Sequence, residues 1–217
     1  LTRRFYTCLR DVQRVFDPVD DTLFGLTIHI SGNRTLFIAD TSVHERPSPE
    51  LMVRIARVAA AKARQMGHDP QVAFLSYANF GNPPVDIAER SREAVRLLDQ
   101  ADDVDFTYDG EMTADMALDP TLRKRYYPFS RLDGPANVLI MPGLHSAHIT
   151  SRLLQALDVG TIIGPLLMGL EKPVEIAQMR STSSNLVIAA ALAAHESIRH
   201  TTKKPATGKR SRKGGAA

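Results

Sequence analysis

The chain has 217 residues, 43% of them hydrophobic and 24% charged, which is enough apolar material for a sizeable core and argues against general disorder. The most apolar run, residues 161–170, is interrupted by Gly164-Pro165 and is shorter than the roughly 20 residues a membrane-spanning helix needs. The single cysteine, Cys8, excludes an internal disulfide framework and a multi-cysteine zinc site. No apolar leader segment follows Arg3-Arg4, so a reducing, cytoplasmic setting is expected.

The net charge of +3 misleads about the body of the chain. Lys203, Lys204, Lys209, Arg210, Arg212 and Lys213 lie in residues 201–217, which contain no acid. The whole chain has 27 Lys and Arg against 24 Asp and Glu, so the remainder is net acidic. Residues 1–200 are read as one domain and residues 201–217 as a basic disordered tail. Such a tail can touch nucleic acid or an anionic membrane. This one has no aromatic residue to stack on bases, which favours a solubilising terminus with neither a nucleic-acid nor a membrane partner.

In chain order, residues 23–30 and 35–39 are strand-like. The Gly32-Asn33 pair between them signals a hairpin. Ser48-Pro49-Glu50 reads as N-cap, first-turn proline and first-turn acid. The helix they open runs to about Met66, with Met52, Ile55, Ala59, Ala63 and Met66 inward, and stops at Gly67. Residues 71–76 form a buried strand. A loop with Gly81, Pro83 and Pro84 leads to a helix over 85–98. Residues 104–108 are a strand. Residues 113–127 are helical, with a break at Asp119-Pro120. A buried strand follows at 136–141. A helix over 146–157 turns Ile149, Leu153, Leu154 and Leu157 inward. Strands at 160–163 and 174–178 precede a last helix at 183–199. This alternation predicts an α/β fold, a largely parallel sheet with helices on both faces.

Ligands of such sheets sit at the carboxyl ends of the strands. That directs attention to the loops at 76–84, 142–148 and 164–169 and to the start of the last helix. Ser76, Asn79, Gly81 and Asn82 could hold an anion with backbone amides, or form a plain turn. Arg180, Ser181, Thr182 and Ser183 combine a guanidinium, hydroxyls and a helix N-terminus, all good phosphate or carboxylate ligands. A serine cap beside a surface arginine explains them equally well. His145 and His148 lack a third ligand at metal-binding spacing and read as surface residues, so no metal is expected here. His195 and His200 read as exposed helix-end residues. Glu111 and Asp115 follow a strand end and are assigned to capping the next helix rather than to acid–base work. No GxGxxG or Walker loop is present, so a standard dinucleotide fingerprint is absent.

Several segments resemble one family. Residues 164–174 (GPLLMGLEKPV) are similar to the GPILxGLxKPV signature of phosphate acetyl/butyryltransferases. Residues 136–149, 110–115 and 37–40 resemble further motifs of that family, in the same order. The similarity runs from about residue 1 to 198. It is greatest to the transferase-like C-terminal domain of bacterial NADP-dependent malic enzymes, through residues 64–84 and 109–119. Phe80 stands where free-standing transferases carry a lysine.

The resemblance implies a phosphotransacetylase-like fold, akin to isocitrate and isopropylmalate dehydrogenases. The chain would hold the second lobe and part of the first. The family's SRGCSVEDIV stretch falls on residues 179–188, which places its phosphate-holding arginine at Arg180 and its proposed base at Leu186. An aliphatic side chain takes no proton. Leu9 and Val12 replace an Asp and an Arg in the family's TADxxR run. The implied function is therefore acetyl-CoA sensing, an allosteric role without transferase chemistry. The ligand, acetyl-CoA or an acyl phosphate, would sit near Ser76, Asn79, Gly81, Asn82, Gly164, Pro165, Arg180, Ser181, Thr182 and Ser183. The parent would be a homo-oligomeric malic enzyme converting malate to pyruvate and CO2, its NADP and divalent metal held upstream. An active acyltransferase and a purely structural dimerisation module remain alternatives.

Overall fold

The structure, a computed structural model, describes residues 3–83, 86–177 and 181–203. Helix α1 is Arg3–Val15, followed by β1 Phe24–Ser31, β2 Arg34–Ala39, α2 Pro49–Gln65 and β3 Gln71–Leu75. Then come α3 Asp86–Asp99, β4 Thr107–Met112, α4 Ala114–Leu118, α5 Pro120–Tyr126 and β5 Val138–Ile140. The described chain ends with α6 Leu144–Ala156, β6 Thr161–Met168 and α7 Ser183–Lys203.

The strands form one six-stranded sheet in the order β4-β3-β5-β2-β1-β6. The block β4-β3-β5-β2 is parallel, and β1 runs antiparallel to both β2 and β6. The α/β expectation therefore holds. Alternation along the strands builds two cores, as a period of two requires. Leu26, Ile28, Phe37, Val72, Phe74, Val138 and Ile140 pack with α2 and α3. Ile38, Ala73, Leu75, Leu139 and Met141 face the opposite side, against Met112, Ala117 and Ala147.

The local rules work where expected. Gly32-Asn33 joins β1 to β2, with Ser31 opposite Arg34 and Gly32 at φ +58°. The Ser48 hydroxyl accepts from Leu51 N–H at the start of α2, with Pro49 in the first turn. Asp119 caps α5 by accepting from the Thr121 and Leu122 amides, and so produces the break at Asp119-Pro120.

Several expectations need correction. Helix α1 was not anticipated. Strand β4 lies at Thr107–Met112 rather than 104–108, because its buried polar residues find partners and continue the ladder. Strand β6 does not stop before Gly164-Pro165 but runs through it to Met168. Residues 174–177 are not a strand. Met66 is exposed, since α2 has already ended. In α6 it is Leu144 and Ala147, with Leu154 partly buried, that face the core. Ile149, Leu153 and Leu157, expected inward, are 54%, 56% and 62% exposed. Helix α7 runs three residues into the segment assigned to the tail. Residues 204–217, and residue 85 where the helix after the loop is expected to start, fall outside the described residues.

Candidate functional site

A cleft of about 950 Å³ lies on the β1–β6 side of the sheet. Helices α1, α6 and α7 and the segment between β6 and α7 wall it. Its position follows from a bulge. Leu26 pairs with Leu166 and Ile28 with Ile163, so Gly164 and Pro165 together face Thr27. One strand bends where two residues oppose one, a device common beside active sites. Gly164 adopts φ +108°, and a Cβ there would stand 2.7 Å from the Leu26 carbonyl oxygen. Only glycine fits that position.

The bulge is held from below. The buried Asp40 carboxylate accepts from the backbone N–H of Gly25, Ser42, Val43 and His44, and its Oδ2 lies 2.8 Å from His44 Nδ1. This clamps the turn after β2. Thr41 Oγ1 is thereby set 2.9 Å from Thr27 Oγ1, and both threonines line the cleft.

The lining is mainly apolar, with Phe5, Ile162, Ile163, Leu166, Ile176 and Leu186. Its polar groups are distributed over three walls. Arg4 and Cys8 come from α1, and His148, Ser151 and Arg152 from α6. Glu175, Ser181 and Asn185 come from the α7 side. The Ser151 hydroxyl is buried without a protein partner, a group a ligand can satisfy. Burial, with Arg152 nearby, holds His148 below its usual pKa, so it is neutral at physiological pH. Burial pushes Glu175 up to about 7. A concave, apolar space with a few convergent polar groups suits a small ligand with an anionic end.

The residues singled out from sequence divide into two groups. Gly164, Pro165 and Ser181 line the cleft, as does Leu186. Thr182 takes the cap of α7, its hydroxyl 3.3 Å from the Asn185 amide, where a serine cap is expected from the sequence. Ser183 opens α7 and is exposed. Arg180 lies outside the described residues.

Ser76, Asn79, Gly81 and Asn82 are elsewhere, in the β3–α3 connection beside β4. There the chain folds on itself, with reciprocal Asn79–Asn82 backbone bonds of 3.0 Å. Asn79 Oδ1 accepts from the amide and hydroxyl of Thr113. The Gly81 amide donates to Glu111 Oε1 at 2.8 Å. Glu111 is fully buried inside β4 and paired with Arg92. It is thus not a helix cap. It supplies an internal anion to an amide that had been considered for a ligand.

Sequence reading missed the α1 and α6 walls and Glu175. The α1 wall was accessible, because Phe5, Leu9, Val12 and Phe16 recur at helical spacing and pack on Leu23 and Leu167. Among the described residues no cluster of three or more His, Cys, Asp or Glu could hold a metal ion. No helix among them is long and apolar enough to cross a membrane.

The model of the phosphate acetyl/butaryl transferase family matches residues 2–194. The chain is 48% identical over 196 residues to an NADP-dependent malic enzyme of Rhizobium meliloti (strain 1021), covering 90% of this chain and 26% of that protein. It is 38% identical over 168 residues to a phosphate acetyltransferase of Treponema pallidum (strain Nichols), covering 75% of this chain and 49% of that one. The EutD phosphotransacetylase structure from Staphylococcus aureus superposes with a TM-score of 0.80 at 25% identity, covering 87% of this chain and 59% of the other. The sequence motifs, the fold and the family match agree, and the chain belongs to the phosphate acetyl/butaryl transferase family.

Proposed function

We propose that this chain is the acetyl-CoA-sensing C-terminal domain of an NADP-dependent malic enzyme, without transferase chemistry of its own. The observation that carries this reading is Leu186. It lines the cleft at the position where the resemblance puts the family's base, and it takes no proton. The cleft itself remains large, with Arg4 and Arg152 on its walls for an anionic end. The similarity to a malic enzyme over 90% of this chain supports a malic enzyme as the parent. In this reading NADP and a divalent metal belong to the part of the parent that this chain does not span. The ligand would act by differential affinity for two states of the parent. Self-association through this domain, in a cytoplasmic enzyme, belongs to the same reading.

One observation favours the second reading, an active phosphate acetyltransferase. Glu175 is a carboxyl in the same cleft with a pKa near 7, suited to accept a thiol proton.

The test uses the full-length polypeptide carrying this chain. Acetyl-CoA is titrated calorimetrically, and acetyl transfer to phosphate is assayed on the same sample. Binding without transfer, together with a change in malate oxidation kinetics, is the expected result. Transfer at enzyme-like rates overturns it in favour of the transferase. No binding at all would leave a structural module. Leu186→Asp is expected to leave binding in place and to create measurable transfer.

A further inference from the structure

Glu175 has a second side. It lies between β6 and α7, half-buried, and lines the cleft. It also borders a small cavity of about 60 Å³ together with Lys62, Lys172, Leu192 and Glu196. It therefore separates the ligand space from the Lys62–Glu196 pair. Lys62 projects from the core-facing side of α2, its side chain only 4% exposed, and bonds Glu196 of α7. A buried ammonium persists only when it is paired. This pair, with Leu192 packed on the main core, ties α7 to the body. Helix α7 in turn supplies Asn185, Leu186, Ile188 and Ala189 to the cleft wall.

The charges around Glu175 come from every neighbouring element. Lys62 faces it from α2, Glu196 from α7, and Lys172 from its own connection. Arg4 and Cys8 of α1 and His148 and Arg152 of α6 line the cleft beside it. Burial raises its pKa to about 7, opposed by the Leu167 main chain and Lys62 and reinforced by Glu196. An anion in the cleft disfavours the carboxylate further. An ionised Glu175 competes with Glu196 for the one ammonium of Lys62.

We propose that Glu175 is the proton-linked residue of the cleft. As a neutral acid it tolerates an anionic ligand beside it and leaves the Lys62–Glu196 pair intact. As a carboxylate it repels that ligand and draws Lys62 away, which loosens α7. The ligand half of this rests on the reading of the cleft as an acyl-CoA or acyl-phosphate site. The α7 half does not.

Two measurements on the full-length polypeptide separate them. Acetyl-CoA is titrated between about pH 6 and 8.5 in two buffers of different ionisation heat. Above pH 7 the wild type loses affinity by up to about tenfold per pH unit and takes up as much as one proton per site on binding. Glu175→Gln matches the wild type at pH 6 and binds roughly tenfold more tightly at pH 8.5, keeping only the ligand's own pH dependence. Coincident profiles for the two proteins overturn the proposal.

Hydrogen exchange along α7 needs no ligand. With intrinsic rates corrected for pH, protection of α7 falls from pH 6 to 8 in the wild type and stays level in Glu175→Gln. If acetyl-CoA binds neither protein while α7 behaves this way, the ligand reading fails and the proton-linked coupling of Glu175 to α7 is supported. Flat α7 protection in the wild type overturns the proposal whatever acetyl-CoA does.

Discussion

Arg123 is a cation held almost entirely out of water, with 2% of the residue exposed. Its guanidinium donates to the carbonyls of Met116, Ala117, Leu132 and Gly134. Burial lowers its pKa, and the charges of Asp109 and Asp119 oppose that shift. The fork thus ties α4, α5 and the 132–134 loop into one unit behind β5. Replacing it strands those carbonyls, and a buried acceptor without a donor costs about 1–3 kcal/mol. Arg123→Ala is expected to destabilise the chain by about 3 kcal/mol, within the range for broken buried networks. Arg123→Lys should recover part of that, since an ammonium cannot span the same fork. Urea unfolding checks both, and an alanine variant as stable as the wild type would refute this role. Residues of this kind were hard to find in the sequence. Arg123 and Asp109 carry no local mark of burial and Glu111 reads as a helix cap, and only the fold reveals that Arg131, Ser130, Arg92 and Gly81 satisfy the two carboxylates.

At the scale of elements, the periodic pattern placed most helices and strands correctly. It failed where two patterns compete. Helix α6 carries two stripes. The stripe through Leu144, Ala147 and Leu154 packs on the sheet, while Ile149, Leu153 and Leu157 stand in solvent with Val159 just beyond. Contiguous exposed apolar patches mark interaction surfaces. This stripe is where the proposed self-association would act. Changing Ile149 and Leu153 to Lys should lower the oligomer mass in light scattering and leave the fold unchanged by circular dichroism. An unchanged mass would remove α6 from the interface. Strand β6 shows the other kind of failure. Gly164-Pro165 is a sound stop signal, yet the pair forms a bulge and the ladder resumes at Leu166. No local rule separates a terminating Gly-Pro from a bulged one, because the difference lies in the partner strand.

For the whole molecule, the pH dependence of stability is governed by groups that act in opposite directions. Asp99 is hydrogen-bonded and paired with Arg131, and accepts from Tyr108, so its carboxyl sits below the usual 3.8. The stability it adds is present above the ordinary carboxylate range and is lost as pH falls through its folded value. Glu175 has the reverse sign, because its pKa rises from 4.5 to about 7 on folding. Between those values the folded chain binds more protons than the unfolded one. Stability from this group is therefore full below the unfolded value, declines as pH rises, and levels off above 7. The full shift corresponds to at most about 3 kcal/mol. Glu175→Gln stays neutral and escapes this loss. It should unfold at the same urea concentration as the wild type near pH 4.5 and at a higher one at pH 8, by about 1–3 kcal/mol. Matching midpoints at pH 8 would mean that the carboxylate is well solvated when charged. Its link to Lys62 and α7 would then have no energetic basis. A gap that opens between pH 5 and 7 would place the cost of ionisation at the junction of cleft wall and core, where one proton can be felt by both.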